Sequence, residues 1–119
     1  METETNYKNK HTLEKRKRES IKILNKYPNI IPIIITNKLD KQYRLENQNT
    51  KFLVPEYYTV GNLIFFFKKR VKMDVHESIF LLCENTMLCG SMSLTQLYAE
   101  LKDEDGFLYI TCAQESVFG

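Results

Sequence analysis

A chain of 119 residues, 43% of them hydrophobic, is long enough for one domain with a modest core. The net charge of +2 is unevenly spread: residues 1–26 carry eight Lys/Arg against four Asp/Glu, and residues 100–119 carry one Lys against five Asp/Glu. The longest apolar run, Leu63–Phe67, is far too short to span a membrane, residues 1–10 contain no apolar signal core, and the three cysteines have neither CxxC nor metal-ligand spacing. A soluble protein of a reducing compartment is expected, with any firm membrane attachment added to the chain.

In chain order, residues 1–10 are polar and can form a short helix. Thr12 caps a helix running to about Lys26, with Leu13, Ile21 and Leu24 as its apolar stripe and Ile23 and Tyr27 to one side. Lys15, Arg16, Lys17 and Arg18 are expected on its exposed turns, and Pro28 ends it. This basic run lies beside acids and lacks interleaved aromatics, which argues against nucleic acid as a partner. Ile30–Thr36 reads as a β-branched strand whose Pro32 belongs near the strand start or on an unpaired side. Asn37–Thr50 reads as a loop, and Lys51–Val54 as a second strand stopped by Pro55.

Val60–Lys72 reads as a helix with Leu63, Phe66 and Phe67 on one face and Lys68, Lys69 and Arg70 in the last turns, where the dipole favours cations. Ser78–Glu84 is a buried strand, Ser93–Gln96 matches a capping box opening a helix to Leu101, and Phe107–Cys112 is the last strand. Asp103-Glu104-Asp105 reads as a solvated turn before that strand. Behind the front helix the order is ββαβαβ, an α+β pattern that fits a four-stranded mixed sheet of the β-grasp kind. If the first and last strands pair in parallel at its centre, the tail points outward to Phe118 and Gly119.

Several segments in consistent order over residues 7–119 resemble one family. They are His11–Arg16, Lys26-Tyr27-Pro28, Ile31-Pro32, Lys51–Pro55, Thr59-Val60-Gly61, Lys69-Arg70-Val71, Lys102–Tyr109 and Phe118-Gly119. Together they resemble the GABARAP-type, or autophagy-related protein eight, ubiquitin-like modifiers. The resemblance implies a ubiquitin-like β-grasp domain (residues 29–119) preceded by a helical extension of two helices (residues 1–28), the whole forming one compact unit. Gly119 would be activated by an E1-like enzyme, passed through E2-like thioesters and joined to phosphatidylethanolamine. Phe118 would be the grip recognised beside it, and a cysteine protease would expose the glycine or release the lipid. Whether Gly119 is encoded last or exposed by processing stays open.

The resemblance also implies a groove for receptor segments of the form aromatic-x-x-aliphatic. Matching positions place one pocket at Glu19, Ile23, Pro32, Lys51, Leu53 and Phe107. A second falls at Phe52, Val54, Pro55, Tyr58, Leu63, Phe66 and Phe67, with Arg70 pairing an acidic ligand group. Lys15, Arg16 and Lys17 would meet acids flanking the ligand. The residues themselves support part of this: an edge strand can accept an extended peptide, and a lysine at position 51 is no core filler. Leu63 and Phe66 read equally well as plain core. Departures from the family pattern include Ile30 where a basic residue is common, His11-Thr12-Leu13, the loop Thr86–Gly90 without proline, and the lysine-poor stretch before Lys51. They bear on ligand selectivity rather than on the tail.

Enzyme readings find no support. His11 and His76, the two histidines, sit in no metal or nucleophile motif and read as surface or capping residues. Cys83 and Cys112 fall in apolar strands, and Cys89 lies in a loop with no basic partner nearby. No cofactor is implied. The expected function is that of an autophagy modifier on autophagosomal membranes, lysosomal or vacuolar ones included. The alternative is a ubiquitin-like peptide-binding scaffold that is never conjugated.

Overall fold

The computed structural model describes residues 6–43, 49–74 and 76–114. In chain order the elements are α1 (Asn6–Lys10), α2 (Leu13–Lys26), β1 (Ile30–Asn37), a 3-10 turn (Lys41–Tyr43) and β2 (Asn49–Pro55). They continue with α3 (Val60–Arg70), β3 (Ile79–Cys83), β4 (Thr86–Met87), α4 (Leu94–Leu101) and β5 (Leu108–Gln114). The strands form one sheet in the order β2-β1-β5-β3-β4. β1 and β5 run parallel through registers Ile33↔Leu108 to Asn37↔Cys112, and the flanking pairs are antiparallel. The fifth strand, absent from the expected four, is the two-residue β4. It returns on β3 through Glu84 and Asn85, both with positive φ, which is the backbone a tight hairpin turn requires.

β1 is buried on both faces, which explains its unbroken run of isoleucines. Ile31, Ile33 and Ile35 join Phe52, Val54, Leu63, Phe67, Leu94 and Ile110 in the main core beneath α3 and α4. Ile34 faces the other way, into a smaller cluster with Ile23 of α2 and Phe107, packed by Tyr7, Ile30 and Tyr109. Pro32 precedes the first β1–β5 register pair, so its missing N–H falls where that ladder has not begun.

Caps follow the local sequence closely. The Thr12 hydroxyl accepts from Lys15 N, and Thr59 with Asn62 makes a reciprocal box at the start of α3. The Ser93 hydroxyl accepts from Gln96 N, while the Gln96 side chain turns to Glu100 instead of closing a box.

Three expectations are corrected. On α2 the buried apolar residue is Ile23, whereas Ile21 is 57% exposed, because the sheet meets the face that also carries Ser20 and Arg16. Arg16 does not lie on an exposed turn: its side chain is only 11% exposed, and Nη1 donates to Asp105 Oδ2 at 2.6 Å. The acidic turn is not solvated at Asp105, whose carboxylate also accepts from Tyr109 Oη at 2.5 Å and Phe107 N at 2.8 Å. Ser20 Oγ donates to the Asp105 carbonyl at 2.6 Å and completes the seam between α2 and the start of β5. Burial and the bond to Asp105 push the Tyr109 phenol far up, so it remains a donor.

Candidate functional site

β2 lies at one edge of the sheet, and its alternation sorts its side chains between two environments. Lys51 and Leu53 face outward and are exposed; Phe52 and Val54 face inward and are buried.

On the outer side, Lys51 Nζ lies 3.1 Å from Glu19 Oε2 of α2. The same ammonium stands 5.6 Å from the Tyr7 ring and 5.7 Å from the Phe107 ring, within cation–π reach. Leu53 is in register with Pro32, and Ile23 and Phe107 are both buried beside Ile34. The six residues expected in the first pocket thus gather between α2 and the outer face of β1–β2. The hydrogen bond and charge of Lys51 hold the Glu19 carboxyl below its ordinary range despite some burial.

On the inner side, the Phe52 ring meets Phe66 and Phe67 edge-on, each at 5.6 Å, and Tyr58 approaches Phe66 at 6.5 Å. The Arg70 guanidinium lies 5.3 Å from the Phe52 ring. Leu63 and Phe67 are fully enclosed, and Phe52 and Val54 nearly so. These four form a floor of core, and the surface above it is offered by half-buried Pro55, Tyr58 and Phe66 and by exposed Arg70.

Lys15 and Lys17 are exposed, unlike Arg16. Beside them, a recess of about 210 Å³ is lined by Lys15, Arg18, Glu19 and Lys22. Arg18 is exposed, as expected of the basic run, and Lys22 is an addition to it; the spacing of four between them on α2 was the available signal. Tyr7 is the other residue that sequence reasoning missed at this site. It is brought in by α1, where nothing in the polar N-terminal stretch marked it as a packing residue. Phe118 and Gly119 lie outside the described residues, beyond Gln114 at the end of β5.

Among the described residues no helix is long and apolar enough to cross a membrane. His11, expected at the surface, is half-buried against Tyr7, with ring centroids 4.7 Å apart. Cys83 and Cys112 are buried free thiols, and burial pushes Cys112 up to about 12.

A mixed sheet with its first and last long strands parallel at the centre, β2 at one edge and helices α3 and α4 under one face defines a ubiquitin-like protein. The chain belongs to the Atg8 family: the family described as "Autophagy protein Atg8 ubiquitin like" matches residues 15–119. It is 40% identical over 115 residues to Autophagy-related protein 8A of Oryza sativa subsp. indica, covering 97% of this chain and 96% of that one. It is 37% identical over 113 residues to Autophagy-related protein 8 of Mycosarcoma maydis, with 95% of each chain covered. Its fold superposes on the crystal structure of Trypanosoma brucei ATG8 with a TM-score of 0.86 at 32% identity, covering 95% of this chain and 97% of that one. The family is one of ubiquitin-like modifiers that serve autophagy.

Proposed function

We propose that this protein is a modifier joined through the Gly119 carboxylate to phosphatidylethanolamine, and that it recruits cargo receptors and adaptors to autophagosomal membranes. The observation that carries this reading is that the family match continues through residue 119. Glycine has no Cβ to obstruct a narrow activating channel. E1-like and E2-like enzymes would act on the chain, which is their substrate and not a catalyst, and a cysteine protease would process or delipidate it. The GABARAP-type assignment within the family, and the division into a helical extension (1–28) docked on a ubiquitin-like body (29–119), are parts of the same proposal. Two acyl chains, at about 0.8 kcal/mol per buried methylene, would hold the domain firmly on a membrane.

Receptors would add an extended segment to the free edge of β2. Its aromatic anchor would enter between Lys51, Leu53 and α2, and its aliphatic anchor would rest on Pro55, Tyr58 and Phe66. Two such anchors contribute roughly 1.5–3 kcal/mol each, and main-chain pairing along the edge of β2 adds to them against an association cost of several kcal/mol; low-micromolar affinity is the expectation. In a reconstituted E1/E2-like system with phosphatidylethanolamine liposomes, the wild type should gain the lipid mass and float, and Gly119→Ala should not. Lipidated product from a chain lacking Gly119 would refute the conjugation reading. For the groove, Leu53→Ala with Lys51→Ala is the clean probe, since both side chains are exposed while Phe52 belongs to the core. Unchanged binding of an aromatic-x-x-aliphatic peptide by that variant would exclude β2.

A further inference from the structure

Helix α1 is held to the body at two points. Lys8 Nζ pairs with Asp103 Oδ1 at 2.5 Å and stands 4.7 Å from the Tyr109 ring. Tyr7 packs edge-on against Phe107 at 5.6 Å and, tilted by 55°, against the His11 ring at 4.7 Å. His11 is the joint between α1 and α2, immediately before the Thr12 cap, and its carbonyl accepts from Arg16 Nε at 3.1 Å.

The Nδ1 atom of His11 is buried and has no hydrogen-bond partner among the described residues. A neutral ring tolerates this, because the bare nitrogen is only an unmet acceptor. A proton on the same atom would create a buried cationic donor facing no acceptor. The charges facing it come from every neighbouring element: Lys10 of α1, Lys15 and Glu19 of α2, and Lys51 of β2. Glu19 is the opposing one, and it is already engaged by Lys51 at 3.1 Å. Burial first, and then these lysines, set the imidazole below its ordinary value near 6.5.

We propose that α1 is an acid-released strap with His11 as its trigger, bracing the Lys51–Phe107 wall of the first pocket. The functional half of this inference rests on the groove reading above. The sign follows from linkage. The docked strap holds a histidine that resists protonation, and a released strap returns it to the ordinary value. Docking is therefore fully supported above about pH 6.5 and loses up to tenfold in its equilibrium constant per pH unit below that, until the docked-state value is reached. Asp103 does not contribute in this window: although burial opposes it, its bond to Lys8 holds it below the ordinary carboxyl range. Release lifts Tyr7 from Phe107 and from the Lys51 ammonium, loosening the wall that an aromatic anchor would touch.

The test is a pair of pH titrations from 7.5 to 5.5 on the wild type and His11→Gln, which keeps His76 in both. In the first, proton NMR follows the His11 imidazole and the Tyr7 and Phe107 rings. The expected result is a His11 midpoint below 6.5, ring signals of Tyr7 and Phe107 moving with it, and no such movement in His11→Gln. A His11 midpoint at or above 6.5, or rings indifferent to it, overturns the strap. In the second, a histidine-free aromatic-x-x-aliphatic peptide is bound across the same range. Affinity should weaken more than twofold in the wild type and stay level in His11→Gln. Equal pH dependence in both overturns the coupling to the pocket. A peptide that binds at no pH overturns the groove reading and the coupling with it, while the ring titration still decides the strap.

Discussion

The Arg16–Asp105 pair is the most consequential polar contact in the structure, and Arg16→Met is its sharpest perturbation. Asp105 has a fully buried side chain and Arg16 an almost buried one, 2.6 Å apart. Methionine keeps much of the aliphatic stem and removes the charge, leaving a carboxylate in the interior. Breaking one side of a buried ion pair costs about 3–5 kcal/mol. Two donors remain on Asp105, from Tyr109 Oη and Phe107 N, and they place the expected loss at the low end, about 3 kcal/mol. Urea denaturation at pH 7 followed by far-UV circular dichroism should show a lower midpoint with an unchanged slope. The thermal midpoint should fall by roughly 10 °C for a domain of this size. Adding Asp105→Asn should then recover stability, because the amide can still accept from Phe107 N while the stranded charge is gone. A loss below about 1 kcal/mol, or a double variant less stable than Arg16→Met alone, would refute the uncompensated-charge reasoning.

Gly106 has φ +94, and a Cβ there would stand 2.3 Å from Ser20 Oγ, so Gly106→Ala should destabilise the fold by about 2 kcal/mol or more in urea melts. Ser20→Ala in that background should return part of the loss by removing the clashing atom. Under native conditions a thiol reagent should modify Cys89 first, since it is exposed and its bond to Ser91 lowers its pKa, whereas Cys83 and Cys112 should react only on unfolding. Stoichiometry by mass spectrometry checks this; early modification of Cys112 would contradict its placement in the core. Glu19 should titrate below its ordinary value in the wild type and move up toward it in Lys51→Met, read by carboxyl carbon NMR. The sign is that of a depressed acid: the Glu19–Lys51 contact is fully present above the ordinary glutamate range and is lost as pH falls through the lowered value.

Much of the fold was legible because local signals and tertiary demands agree. Thr12 and Thr59 cap the helices that follow them, Pro28 stands just past the end of α2, Pro55 is the last residue of β2, and the β-branched run of β1 occupies a strand buried on both faces. The illegible parts are those settled by distant partners. Two exposed-looking residues, Arg16 and Asp105, are 89 positions apart, and each reads as solvated until the other neutralises it. α2 carries apolar residues on more than one side, so periodicity alone could not choose Ile23 over Ile21. β4 is two residues long, too short to carry a pattern of its own.

The groove residues were harder to sort for a physical reason. The inner face of β2 and the face of α3 beneath it serve packing and surface at once. Phe52 lies under the Arg70 guanidinium and beside Phe66, yet it is itself buried, so any ligand resting on Phe66 and Tyr58 would bear on the main core through one ring. The outer face behaves differently. Lys51 is exposed and belongs to no core, but it touches Glu19 of α2, Tyr7 of α1 and the Phe107 ring. Substitutions on the inner side should therefore mix loss of binding with loss of stability. Those at Lys51 and Leu53 should separate the two, and the outer pocket should inherit whatever position α1 takes.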